Sequence, residues 1–227
     1  MGTDRLGEVL DATYDCLTRY GVRRTTVDDI ATAMGVSRSA VYQYVRGKDD
    51  AFRRLAERLH AEALERARRA AAADAPVVAR VRGILEAKLS LVLQLAGDSP
   101  HSAELLDEKA RLFGDICHGF TAELRRLLTG VLAEAGAGPA VGSGVTAGPG
   151  PAGGPPPAGG LPPAGGAAAA LTPAQAADIL IALVLGLESV ADGERLLGPA
   201  AEAFLTGLLG TPADSAGPPD RAASPSH

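Results

Sequence analysis

The residues from Thr25 to Asp50, TTVDDIATAMGVSRSAVYQYVRGKDD, constrain the fold more than any other stretch of the chain. Val27, Ile30, Ala31 and Met34 recur at three- and four-residue spacing, which gives a short helix a single apolar face. Its start falls at Thr25 or Thr26, whose hydroxyl can accept from the free amides of the first turn. Asp28 and Asp29 then sit at the positive end of the helix dipole. Gly35 follows where left-handed backbone is needed, a conformation that glycine adopts without steric cost. Val36 can plug the corner, and Ser37 can cap a second helix from Arg38 to about Val45. A third helix starts near Gly47.

The second helix has two unlike sides. At 100° per residue, Arg38, Ser39, Tyr42 and Gln43 fall on one face, while Ala40, Val41, Tyr44 and Val45 lean to the other. The first face would make a poor core and a good reader of a DNA groove. Arginine pairs with guanine, glutamine with adenine, and hydroxyls reach phosphates or base edges. Short helix, glycine turn and polar-faced helix together form a helix-turn-helix.

Four segments carry a family resemblance: Thr-Val-x-x-Ile-Ala from Thr26, Met-Gly-Val-Ser from Met34, Val-Tyr-x-Tyr-Val from Val41, and Gly-Lys-Asp-Asp from Gly47. In this order they resemble the N-terminal DNA-binding domain of TetR-family transcriptional regulators. That family usually has phenylalanine where Val45 stands and often leucine at Val41. Both replacements are apolar, so the packing role is kept. The resemblance spans roughly residues 5 to 60; beyond it, only the helical organisation matches.

Composition narrows the partners. The formal net charge is −5, so any DNA contact must come from a local patch rather than a basic coat. Arg19, Arg23, Arg24, Arg38, Arg46, Lys48, Arg53 and Arg54 supply such a patch, partly offset by acids. The two cysteines, Cys16 and Cys117, are isolated within helical patterns and read as cytosolic thiols. The first residues, MGTDRLGEVL, carry acids and no apolar core of a signal peptide. Leu171 to Val190 is the most apolar stretch, but within it Asp178 and Glu188 bracket a run too short to span a bilayer. A soluble, cytoplasmic bacterial protein is therefore expected, with no membrane partner. The Ala, Gly, Pro and Arg bias reflects coding in a GC-rich genome.

Along the chain, Leu6, Val9, Leu10, Thr13, Leu17 and Tyr20 mark a first helix that Gly21 stops. Phe52, Leu55, Leu59 and Leu64 continue the helix that starts near Lys48. Pro76 opens another, which Gly97 to Pro100 ends, and a long amphipathic segment runs from His101 to Ala135 with a possible bend at Gly114 or Gly119. Residues 136–170 are almost wholly Gly, Ala and Pro and read as a flexible linker inserted between helices. Thr172-Pro173 caps the next helix, apolar nearly all round, and Leu196 to Leu209 make the last. The tail from residue 211 reads as disordered. The fold expected is all-α: a helix-turn-helix domain over 1–48 and a helical ligand-binding and dimerisation domain over 49–210.

Enzyme chemistry finds little support. Asp115 and His118 are i, i+3 neighbours, with Cys117 between them, but two ligands do not make a metal site. No phosphate loop or nucleotide fingerprint is present. No catalytic residue, metal or cofactor is assigned.

The TetR resemblance implies a homodimer that binds a pseudo-palindromic operator and is released by a small-molecule effector. It implies Arg38, Ser39 and Gln43 at base edges, and Thr26, Tyr42, Tyr44 and Lys48 at phosphates. The effector region is placed at Leu93, Phe113, Asp115, Cys117, His118 and Phe120. The dimer interface is placed at Ile179, Leu183, Leu187, Val190, Phe204 and Leu208, on two C-terminal helices from each subunit. Two alternatives share these residues. A DNA-binding protein without an effector would lack an internal cavity. An enzyme would need a third polar group converging on Asp115 and His118.

Overall fold

The computed structural model describes residues 4–97, 101–136, 171–190 and 192–209, with side chains at 95–97 and 102–112 excepted. The linker expected beyond residue 136 and the expected tail lie outside the described residues. Among these, eight helices follow one another: α1 Arg5–Arg24, α2 Val27–Met34, α3 Arg38–Val41, α4 Lys48–Ala71, α5 Val77–Gly97, α6 Ser102–Glu134, α7 Pro173–Leu187 and α8 Gly193–Leu209.

Local chemistry sets the first four. The Asp4 carboxylate caps α1, accepting from the Gly7 amide at 2.9 Å. Regular helix stops at Gly21, whose φ of 79° and ψ of 171° are open to glycine; Val22 to Arg24 form a further turn. Thr25 is not the cap of α2. Its buried hydroxyl lies 2.7 Å from the Gly21 carbonyl and 3.1 Å from that of Cys16, so it fastens the break in α1. Thr26 takes the cap, accepting from the Asp29 amide at 3.2 Å, while the Asp29 carboxylate accepts from the Thr26 amide at 2.8 Å. Gly35, at φ 66°, turns the chain into α3.

The second helix is shorter than expected. Regular α-helix covers only Arg38–Val41, after which the Gln43 and Tyr44 amides bond three residues back, to Ala40 and Val41. This tightening carries Val45 into the interior, where it is 2% exposed. Gly47 has no side chain with which to cap α4. Asp50 reaches back instead and accepts from the Arg46 amide at 2.9 Å.

Two apolar cores result, and α1 and α4 line both. Val9, Ala12 and Cys16 of α1 and Ala51 of α4 close a small core with Val27, Ile30, Ala31, Val41 and Val45. Leu10, Leu17 and Val22, on the other side of α1, join Phe52, Leu55 and Leu59 of α4 in the main core. That core continues through Ile84, Leu85 and Leu89 of α5, Leu124 and Leu128 of α6, Leu180 and Val184 of α7, and Leu197 and Leu205 of α8. The long helix α6 does bend, at Phe113, where φ is −145° and ψ 26°, one residue before the first of the two glycines that the sequence marks. Thr172 and Gln175 form a capping box at the start of α7, with Pro173 as its first residue.

The turn from α7 to α8 is drawn close. Asp192 has φ 61°, and a Cβ on Gly193 would lie 2.2 Å from the Leu187 carbonyl oxygen, so that position admits only glycine without rearrangement. Glu188, at the end of α7, meets Lys88 of α5 in an ion-pair contact of 2.6 Å, with side chains only 12% and 6% exposed. The two charges are thus withdrawn from water together.

Removing one member of a buried pair strands the other charge, which costs about 3–5 kcal/mol, whereas an apolar pair of similar size is close to neutral. Lys88→Met should therefore destabilise the protein by about 3–5 kcal/mol in urea unfolding at fixed protein concentration. The double change Lys88→Met with Glu188→Leu should recover most of the loss.

Candidate nucleic-acid interface and effector region

The face expected to read DNA is exposed. Arg38, Ser39, Tyr42 and Gln43 all stand at the surface, and Thr26 lies beside them at the head of α2. Tyr44 differs: it is half-buried and packs against the small core.

Several of these groups are already engaged. The Arg38 guanidinium donates to Asp28 at 2.8 Å and to the Tyr42 hydroxyl at 3.0 Å, with its central carbon 5.4 Å from the Tyr42 ring centre. The Ser39 and Ser37 hydroxyls are 2.9 Å apart, and the Thr26 hydroxyl donates to Asp29 at 2.6 Å. Lys48 donates to the Arg23 carbonyl at 3.1 Å and the Val22 carbonyl at 3.4 Å, so its ammonium caps the end of α1. The structure therefore brings Thr26, Arg38, Ser39, Tyr42 and Gln43 to one surface. It gives Lys48 a structural task besides any contact with phosphate.

The basic residues further along are partly neutralised. Arg54 donates to Asp50 at 3.1 Å, and Arg58 donates to Asp11 at 2.7 Å and to the Gly7 carbonyl at 3.3 Å, tying α4 to α1. Arg53 grips Asp115 with both nitrogens, at 3.1 and 2.5 Å, and so ties α4 to α6. These hydrogen bonds, with the Arg53 charge, hold the Asp115 carboxyl down to about 2. A depressed carboxylate contributes stability above its ordinary titration range near pH 4. That contribution is lost as pH falls through about 2.

The expected effector residues separate into two groups. Leu93 and Phe113 pack against the main core, Phe120 is buried in it, and Cys117 is half-buried. Asp115 and His118 are exposed, with Asp115 committed to Arg53. The partner that sequence reasoning missed is His60 of α4, 57 residues before Cys117. Its Nε2 lies 3.6 Å from the Cys117 Sγ, its Nδ1 lies 2.7 Å from the Ala56 carbonyl oxygen, and its ring meets Phe120 edge-on at 5.2 Å. No local pattern links these helices; only the apolar positions on either side of His60 hint that it faces inward. A concavity of about 280 Å³ between α1 and α4 is lined by Asp4, Leu6, Gly7, Leu10, Arg54, Glu57 and Arg58, and by none of the effector group. Among the described residues, no three His, Cys, Asp or Glu side chains gather to hold a metal ion, and no helix is long and apolar enough to cross a membrane.

Of the expected interface residues, Ile179 and Val190 are exposed, at 40% and 48%. Leu183, Phe204 and Leu208 are half-buried against the main core, and Leu187 is turned into it. Leu185 and Leu196, which the sequence reading left out, are 45% and 46% exposed.

A left-handed glycine corner between a capped helix and a short polar-faced one, braced by α1 and α4, defines a helix-turn-helix DNA-binding regulator. Residues 9–55 match the model for bacterial regulatory proteins of the tetR family. The match covers the helix-turn-helix and the helices that brace it, α1 and the start of α4. The all-α fold of the rest agrees with solved structures. A transcriptional regulator from Pseudomonas aeruginosa PAO1 is 21% identical, with a TM-score of 0.61 and 92% of each chain covered. FadR of Bacillus subtilis, solved in complex with stearoyl-CoA, is 16% identical, with a TM-score of 0.55 and coverage of 89% of this chain and 97% of its own. SmeT, the repressor of the Stenotrophomonas maltophilia multidrug efflux pump SmeDEF, is 19% identical, with a TM-score of 0.57 and coverage of 94% and 96%. Among curated proteins none matches the chain.

Lys48 gives this region a test. If its ammonium closes α1, Lys48→Met should cost about 1 kcal/mol of stability in addition to any loss of DNA affinity. A residue that met only phosphate would leave the urea midpoint unchanged.

Proposed function

We propose that this protein is a homodimeric transcriptional repressor whose hold on its operator is released by a small molecule. Residues 1–48 form the DNA-reading head and residues 49–210 the effector-binding and dimerisation body. Such a regulator acts in the bacterial cytoplasm, on the nucleoid. The observation that carries the reading is the exposed Arg38-Ser39-Tyr42-Gln43 face on a head that shares α1 and α4 with the body. Any change in the packing of α4 is felt at α3.

Dimerisation is supported by the outer surface of α7 and α8. Ile179, Ala182, Leu185 and Gly186 stand exposed along α7, and Leu196, Pro199, Ala203, Thr206 and Gly207 along α8. Two apolar stripes rich in small residues allow close approach of helices from a second copy. A two-fold axis would then set the recognition helices one DNA turn apart, about 34–36 Å, to read the two halves of a pseudo-palindrome. Ligands of the solved relatives differ widely, and stearoyl-CoA bound to FadR shows how large an occupant that helical body accepts in that protein. Here the low aromatic content favours an aliphatic or mixed effector over a large planar one. It would need differential affinity for the bound and released arrangements, and nothing more.

Footprinting on DNA flanking the protein's own gene, with candidate effectors added, tests the whole reading. A protected two-fold site that a small molecule clears is expected; protection that no compound alters would favour an effector-independent DNA-binding protein. Arg38→Ala should then lower discrimination between operator and random DNA by about 1–3 kcal/mol at unchanged helix content. Equal weakening on both DNAs would reassign Arg38 to phosphate.

A further inference from the structure

The chain's two cysteines lie in opposite surroundings. Cys16 is 3% exposed in the small core, and burial, followed by the charges of Asp29 and Asp15, pushes its thiol up. Cys117 is half-buried on α6, with an imidazole beside it.

One hydrogen bond sets the tautomer of that imidazole in its neutral form. The Ala56 carbonyl can only accept, so at 2.7 Å the neutral His60 ring must carry its hydrogen on Nδ1. Nε2 is then a lone-pair acceptor, and it lies 3.6 Å from the Cys117 sulfur. The edge-on contact with Phe120, at 5.2 Å and 87°, holds the ring at that angle. A thiol with an oriented imidazole acceptor, whose other nitrogen is tied to backbone, is the arrangement that activates a cysteine as a nucleophile.

We propose that Cys117 is a modification site for soft carbon electrophiles of the α,β-unsaturated carbonyl class, with His60 as its base. The thiol proton passes from Sγ to Nε2 of His60. The sulfur lone pair bonds to the β-carbon of the electrophile, and the carbon–carbon π pair moves onto the carbonyl as an enolate. The α-carbon of the enolate then takes the proton back from His60. No electron acceptor, donor or leaving group is required. The product is a thioether at the seam of α4 and α6, two residues from the Asp115 that Arg53 holds. An adduct there cannot share the seam with the His60–Phe120 contact, and so it alters the packing of α4. This regulatory consequence rests on the repressor reading; the reactivity of Cys117 does not.

N-ethylmaleimide is the probe, with the labelled cysteine identified by peptide mass spectrometry of the full chain. At pH 7 an unperturbed thiol is only a few per cent ionised, so an activated Cys117 should label about tenfold faster than a free cysteine derivative, and well ahead of Cys16. His60→Gln should return Cys117 to about the free-thiol rate, with helix content retained. Cys117 labelling no faster than the free thiol overturns the proposal, as does a His60→Gln variant that labels as fast as the parent. A second arm reads DNA. Alkylated protein should lose its footprint, while Cys117→Ser should keep it in the presence of the probe. Alkylated protein that still protects the DNA overturns the switch. Unmodified protein that protects no DNA overturns the repressor reading instead, and leaves the thiol result standing.

Discussion

The structure depends on two helices that are apolar on two sides. In α1, Val9, Ala12 and Cys16 face one core while Leu10, Leu17 and Val22 face the other. In α4, Ala51 and Phe52 divide in the same way within a single step of the chain. A helix-turn-helix of this size buries too little surface to be stable by itself. Sharing α1 and α4 with a larger core removes that difficulty and makes the head mechanically part of the body. The ties of Arg58 to Asp11 and to the Gly7 carbonyl run along the same seam. Exposed ion pairs contribute little stability singly, so their effect here is to fix the relative register of two helices that burial already holds together.

The face proposed to read DNA is kept in order by partners within the protein. Asp28 and Tyr42 hold the Arg38 guanidinium. On the proposed role, the arginine gives up rotamer freedom before binding, which would lower the entropic cost of a base contact, and would exchange an ion pair on binding, which would raise the enthalpic one. A net charge of −5 overall gives little general attraction to the DNA backbone, so selectivity on the proposed role would have to come from base edges.

What could be read from the sequence follows from how local each cause is. Gly35, Ser37 and the Thr172-Pro173 start act within one turn of their own position, and each is found in its expected role. Thr25 and Thr26 are neighbours with the same hydroxyl. Which of them caps α2 was decided by the break at Gly21, because that break leaves a carbonyl for Thr25 to satisfy. The length of α3 was misjudged because Val45 is drawn into a core that several separate segments build. The pairs Lys88–Glu188, Arg53–Asp115 and His60–Cys117 join residues 100, 62 and 57 positions apart, and no periodicity carries that information. That Arg38, Ser39, Tyr42 and Gln43 share an exposed face was legible from their spacing; the surroundings of Cys117 became visible only once α4 and α6 were packed.

The seam between α4 and α6 is where the two halves of the molecule can exchange energy. At one end Arg53 and Asp115 form an exposed two-pronged contact that persists across the physiological pH range, since the carboxyl is held down to about 2. About two turns along α4, His60 meets Cys117 and Phe120 where side chains are half-buried or buried. The first contact aligns the helices at a fixed point while the second sets how tightly they close. On the proposal made for Cys117, a change of volume there would act against the Arg53–Asp115 contact, at the same α4–α6 seam. The first turn of α4 holds Lys48 against the end of α1, and Gly47 joins it to the polar-faced turn of α3. For the proposed repressor, a rotation about the Arg53–Asp115 contact would be the kind of motion that moves two recognition helices out of register with successive grooves.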